Sequence, residues 1–244
     1  MTEQTQQPPF QIRVVPVTPF QQNCSLIKTP SGAAAAVDPG GEPEKILKAA
    51  EEFGATIEQI WLTHGHLDHA GGAEAIKRKT GAPIIGPHAE DQFWLEEIAS
   101  HWEKYGHPGA GEDCTPDRWL NDGDVLTLDD VEFNVAYTPG HTPGHVVIYH
   151  QGVRIAFVGD VLFAGSIGRT DFPRGDHDTL IKSITEKLWP LGEDMQFVPG
   201  HGQTSTFGRE RQSNPFVADQ VTGYAGTKKN DANEIDQKLS MRWT

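Results

Sequence analysis

Ten consecutive residues constrain this chain more than any others: Thr63-His64-Gly65-His66-Leu67-Asp68-His69-Ala70-Gly71-Gly72. They follow directly on an apolar run, Ile60-Trp61-Leu62, which reads as the end of a strand over 57–62. In an extended backbone alternate side chains point the same way, so His64, His66 and Asp68 share a side. His69 falls one step later, where the chain bends toward a helix predicted over 73–79 and its side chain turns back. Four ligand-type side chains therefore converge at one strand end. Neutral imidazole and carboxylate are the donors that a borderline divalent ion such as zinc, iron or manganese accepts. A merely histidine-rich polar loop would not need the His-x-His-x-Asp-His spacing.

Three more candidate donors stand just past predicted strands. Thr138-Pro139-Gly140-His141 follows a strand over 131–137, Gly159-Asp160 one over 155–158, and Pro199-Gly200-His201-Gly202 a short one over 197–198. Glycine and proline permit the sharp turn that leaves the next side chain at a sheet rim. Each alone is an ordinary turn. Together they extend the set to His64, His66, Asp68, His69, His141, Asp160 and His201. Seven donors exceed one tetrahedral site and suit two ions sharing Asp160. Metal binding lowers the pKa of water from ~15.7 to ~7, so a bridging hydroxide is expected and no protein nucleophile is required.

The rest of the sequence reads as an α/β frame around these donors. Strands over 12–17, 24–27 and 33–37 are expected to pair antiparallel, with turn residues between them. Pro43 opens a helix through Phe53 from its first turn, and Gly81 closes the helix over 73–79. A single helix is predicted over 91–103, with Phe93, Leu95 and Ile98 apolar, followed by a glycine- and proline-rich loop to about Asp117. Strands over 125–128, 131–137, 146–149 and 154–158, then a helix over 179–188, complete the pattern. It predicts two similar halves, each a sheet with helices on its outer face. From Gly208 the chain turns polar. A single catalytic domain is expected over 10–216, with 217–244 a polar tail, docked or frayed, whose apolar residues include Ile235, Leu239, Met241 and Trp243.

The net charge of −14 leaves little room for the basic face that nucleic acid or an anionic membrane needs. No stretch approaches the roughly 18 apolar residues of a spanning helix, and residues 1–9 carry no signal segment. Cys24 and Cys114 form no disulfide framework and read as buried thiols in a reducing compartment. A cytoplasmic protein is expected.

The spaced set His64-x-His66-x-Asp68-His69, His141, Asp160 and His201 resembles the metallo-β-lactamase superfamily over most of the chain. That resemblance implies an αββα sandwich, two mixed sheets face to face with helices outside. It implies one metal on His64, His66 and His141, another on Asp68, His69 and His201, and Asp160 between them, with Asp68 and Asp160 as the catalytic carboxylates beside the metal-bound hydroxide. Two zinc ions are the first expectation, with iron or manganese as alternatives. Gly168-Arg169-Thr170-Asp171-Phe172 and Pro199-Gly200-His201-Gly202 are similar to the glyoxalase II group, and more narrowly to its compact bacterial hydroxyacylglutathione hydrolases. The implied reaction is hydrolysis of the thioester S-D-lactoylglutathione to D-lactate and glutathione, a step in methylglyoxal detoxification. Full-length glyoxalase II continues past the last histidine into a helical glutathione-binding domain, whereas this chain ends at Thr244 after a polar stretch. Either Arg169 and the loop around His107 then make the substrate pocket, or the natural substrate is smaller.

The rival within the superfamily is a persulfide dioxygenase, which shares the His-x-His-x-Asp-His run and a segment like 168–172. Its single iron sits on counterparts of His64, His141 and Asp160. The hydrolase-like setting of His201, a ligand for a second site, tilts the reading away from it. A β-lactamase is disfavoured by the missing export signal, a nuclease by the missing basic face. A regulator that had lost catalysis would lack a ligand, and none of the seven is missing. Around the set, Asp171 is expected to pair with Arg169, Thr63 and Thr142 to orient ligands, and His145 to be a hydrogen-bonded strand-start residue. His88, His101, His107, His150 and His177 are expected at the surface or in loops. Trp94, Trp102 and Trp119 are expected in core packing or as pocket walls, and Cys24 in packing. The oligomeric state has no signature in the sequence.

Overall fold

A computed structural model describes residues 8–224. Its first sheet has the order β1 (Gln11–Val17), β2 (Gln22–Lys28), β3 (Ala33–Val37), β4 (Thr56–Trp61), β5 (Ile84–Ile85). The first three strands pair antiparallel as expected, and helix α1 (Pro43–Glu52) carries the chain across to make β3 and β4 parallel. The second sheet is built from β6 (Val125–Leu128), β7 (Val131–Tyr137), β8 (Val146–His150) and β9 (Ile155–Gly159). A small hairpin, β10 (Leu162–Phe163) with β11 (Ser166–Ile167), follows. Strands β12 (Gln196–Pro199) and β13 (Ser205–Thr206) then join the far side of β9, giving the order β13-β12-β9-β8-β7-β6.

Strand alternation sorts the apolar residues into three layers. In β3, Ala35 and Val37 face the second sheet while Ala36 faces the helices. In β9, Ile155 and Phe157 face the first sheet while Ala156 and Val158 face the other way. Between the sheets Trp61, Phe133 and Phe157 are buried. Outside the first sheet lie α1, α2 (Leu67–Ala70), α3 (Ala73–Thr80), α4 (Gln92–Leu95) and α5 (Ile98–Lys104). Outside the second lie α6 (His177–Lys182), which continues as a π-helical turn over Ser183–Leu188, and α7 (Phe207–Ser213). A last turn is α8 (Asp219–Thr222). This is the expected αββα sandwich. Cys24 and Cys114 are free and buried, and burial pushes both thiols well above their usual pKa. Among the described residues no helix is long and apolar enough to cross a membrane.

Three expectations need correction. The strand before the histidine stretch ends at Trp61, and Leu67–Ala70 is a separate helical turn. Asp68 and His69 are thus aimed by helical geometry, not by an extended backbone or the start of 73–79. The helix expected over 91–103 is broken: the backbone leaves the helical region at Glu97 (φ −121, ψ 11), separating α4 from α5. The polar stretch from Gly208 is not irregular. Thr206 caps α7 by accepting the Arg209 N–H, and Glu210 is buried, accepting from Ser205 Oγ (2.5 Å), Gly165 N (2.8 Å) and Asn214 Nδ2 (2.9 Å). A polar sequence folds there because its carboxylate turns inward onto donors. Val217 and Ala218 are buried as well. Of the tail expected over 217–244, residues 225–244, with Ile235, Leu239, Met241 and Trp243, lie outside the described residues.

Candidate metal centre

All seven predicted donors meet at one rim of the sandwich. His64, His66 and His141 present nitrogen atoms within 4.8 Å of one another, and so do the donor atoms of Asp68, His69 and His201. Asp160 lies between the groups: its carboxylate is 3.4 Å from His69 Nε2, 3.6 Å from His141 Nε2 and 3.7 Å from His201 Nε2. Glycines make this convergence possible. A Cβ on Gly65 would stand 2.8 Å from Trp94 Cβ, and one on Gly200 would collide with Asp160 Oδ1 and His69. Gly159, at φ 48, turns β9 so that Asp160 reaches the rim.

The hydrogen bonds fix most of the tautomers. His141 Nδ1 donates to the Arg169 carbonyl (2.7 Å) and His201 Nδ1 to the Phe20 carbonyl (3.1 Å). His69 Nδ1 donates to Asp38 Oδ2 (2.9 Å). Thr63 Oγ1 gives its proton to Asp38 Oδ2 (2.6 Å), so it accepts from His64 Nδ1 (3.1 Å). With Nδ1 protonated, a neutral ring has a bare Nε2, and in all four residues Nε2 faces the centre. His66 is turned the other way, its Nδ1 lying 3.1 Å from His64 Nε2 and 3.0 Å from His141 Nε2.

Charge follows burial. Burial lowers His64, His66 and His141 below the ordinary histidine value, with mutual repulsion adding to it in His64 and His66. Burial opposes a proton on His69 and His201 too, but Asp160 and Asp68 outweigh it and raise both. Asp160 is likewise held well below the carboxylate range: burial would raise it, and His69, His141 and His201 overcome that. Three bare nitrogens crowded together, a buried Asp160 Oδ1 with no hydrogen-bond partner, and a glycine cradle beside it fit a pair of divalent cations.

The centre opens into a cleft of about 940 Å³. Trp94 and Phe172 stand edge-on to His66, each 4.7 Å or less between ring centres. Arg169 lines the cleft, paired two-fold with Asp171 (2.9 and 2.8 Å) and lying over Phe172. His101 was expected at the surface but lines the cleft, packed on Trp94. Of the loop that runs through His107, Tyr105 lines the cleft and His107 does not. Trp102 is core, and Trp119 packs against the core partly buried. His145 is buried, accepts the Asp160 N–H on Nε2 (3.1 Å) and stacks on His64. Thr63 does orient His64, but Thr142 instead donates to Asp91 Oδ2 (2.7 Å).

Two residues escaped sequence reasoning. Asp38, in what read as a plain turn, holds His69 and both the N–H and hydroxyl of Thr63. Asp91 is fully buried and accepts from Gly65 N, Thr142 Oγ1 and Gly144 N, tying the two histidine loops together. Burial raises its pKa to about 6 against those hydrogen bonds. A buried carboxylate among backbone N–H groups leaves no local sequence signal.

The model of the metallo-β-lactamase superfamily matches residues 17–201. A Haemophilus influenzae protein named hydroxyacylglutathione hydrolase GloC is 46% identical over 207 residues, 84% of this chain and 97% of that one. Among solved structures, BLEG-1 B3 metallo-β-lactamase aligns with a TM-score of 0.79 at 35% identity, covering 85% of this chain and 99% of its own. TTHA1623, solved in a di-iron-bound form, aligns with a TM-score of 0.77 at 34% identity, covering 84% and 100%. The chain belongs to the metallo-β-lactamase superfamily.

Proposed function

We propose that this enzyme is a metal-dependent thioester hydrolase acting on a glutathione conjugate, S-D-lactoylglutathione, to give D-lactate and glutathione. The observation that carries the reading is the pair of donor trios flanking Asp160 on the floor of a cleft open to solvent. His64, His66 and His141 would hold one divalent ion, Asp68, His69 and His201 a second, with Asp160 shared. The 34% identity to a protein solved with two irons supports two ions over one, and the donor set accepts zinc, iron or manganese. When bound, the ions supply Lewis acidity and a water of lowered pKa.

The protein's own residues prepare that chemistry. Asp38, Thr63 and the Arg169 and Phe20 carbonyls lock the imidazoles with Nε2 inward. Trp94 and Phe172 cover His66 and keep bulk water from the first trio. Asp68 and Asp160 supply the negative charge that offsets the cations. Hydrolysis adds water across the C–S bond: the acyl carbon takes the hydroxyl and the sulfur leaves with a proton. The 46% identity to a protein named hydroxyacylglutathione hydrolase favours the glutathione thioester.

The test is thiol release from S-D-lactoylglutathione with oxygen excluded, on metal-quantified protein. Rapid release with about two metal ions per chain is the expected result. Preference for a β-lactam, or a single iron with oxygen uptake on glutathione persulfide, would replace the reading with another activity of the superfamily.

A further inference from the structure

The cleft has a second charged feature besides the donor trios. Glu97, His101 and Lys104 all line it. His101 and Lys104 stand three apart on α5, and Glu97 is the residue that caps it, so the three follow one another along the cleft wall. The opposite face is anchored, with Ile98 and Trp102 fully buried. His101 stands between the two charges, 3.3 Å from Glu97 and packed on Trp94. Burial, then the Lys104 charge, hold His101 below its ordinary pKa.

Arg169 is the other cation on the cleft wall, but its guanidinium is already matched by Asp171 in a two-fold pair. Lys104 forms no ion pair among the described residues. Among the described cations of the cleft wall it is therefore the one left free to pair with an anionic group of a substrate. Counted from that cap at ~1.5 Å rise per residue, Lys104 lies about 10 Å from Glu97 along the helix axis. An extended peptide covers ~3.3–3.6 Å per residue, so about three residues span that distance.

We propose that this face of α5 reads the carrier of the thioester as a short peptide thiol of about three residues, Lys104 taking a carboxylate at one end and Glu97 an ammonium at the other. The inference rests on the thioesterase reading and assigns carrier specificity to α5 in place of Arg169. Both are positioning contacts at the carrier end, remote from the bond that breaks. Their loss should appear in affinity and KM, not in kcat.

The test uses the metal-loaded protein and two readouts. Calorimetry with S-methylglutathione, a thioether that cannot be hydrolysed, reads recognition without chemistry. Kinetics compare S-D-lactoylglutathione with S-D-lactoyl-N-acetylcysteamine, whose carrier is uncharged. Lys104→Glu should weaken S-methylglutathione binding and raise KM for the glutathione thioester by about tenfold, at unchanged kcat. It should leave the N-acetylcysteamine thioester unaffected. Lys104→Arg should stay within about twofold of the parent protein, and Glu97→Gln should cost about threefold. Unchanged glutathione affinity in Lys104→Glu, equal losses on both thioesters, or no S-methylglutathione binding by the parent protein would overturn the proposal. Lys104-dependent binding without thiol release from either thioester would support α5 recognition and refute only the hydrolase reading.

Discussion

His64, His66 and His141 form a trio without a carboxylate, each no more than 6% exposed, whereas Asp68, His69 and His201 include one and open to the cleft through His201. In the first trio burial lowers every histidine, so the nitrogens are bare at neutral pH and ready for a cation. In the second, Asp160 and Asp68 outweigh burial and raise His69 and His201, favouring a proton where a cation would sit. The same residue types in one centre therefore prepare two unlike sites. One is a preformed neutral cage; the other would take up a cation in exchange for protons.

Removing the residue the trios share should have the largest effect. Asp160→Ala should abolish thiol release and weaken both metal equivalents, by more than the ~10–100-fold that loss of a supporting hydrogen bond costs. Loss of only one equivalent would show that Asp160 serves one trio. Elemental analysis after dialysis, with the thiol assay alongside, decides it.

Asp38→Asn comes next and separates the trios. Asp38 bonds His69 directly but reaches His64 only through the Thr63 hydroxyl. One equivalent should bind ~10–100-fold more weakly and the other less so, as read by competition with a chelator. Equal losses would mean that Thr63 transmits orientation as well as a direct hydrogen bond does. The smallest effect is expected at the rim. Arg169→Ala should change kcat/KM for the glutathione thioester by only about threefold, because its charge is already paired with Asp171. A loss of a hundredfold would make Arg169 a substrate contact.

The same contrast explains what could be read before folding. Strand alternation and the helix-opening Pro43 are local signals, so two halves, each a sheet with helices outside, were legible, while their face-to-face packing came from the family resemblance. The seven donors were legible because each sits at a strand end or in the spaced histidine run, marked by glycine or proline. Asp38 and Asp91 were not, since their partners lie 25 to 53 residues away and nothing beside them marks a buried carboxylate. The break at Glu97 was hidden for a related reason. Apolar residues at 94, 95, 98 and 102 suit a continuous helix as well as a broken one, and tertiary packing selects the break. With α5 turned that way, Glu97, His101 and Lys104 face the cleft, a placement that sequence spacing alone does not show.

The two trios would hold metal by different means. Calorimetric titration of the metal-free protein with zinc, repeated from pH 8 to pH 6 in buffers of different ionisation enthalpy, tests it most directly. His69 and His201 have raised pKa values, so they take up protons first as pH falls and a cation must displace them, which lowers affinity at that trio. The first trio, with lowered values, should hold its affinity over the same range. Two binding events per chain are expected, the weaker one releasing more protons and fading first toward pH 6. A single event, or two that fade together, would contradict it.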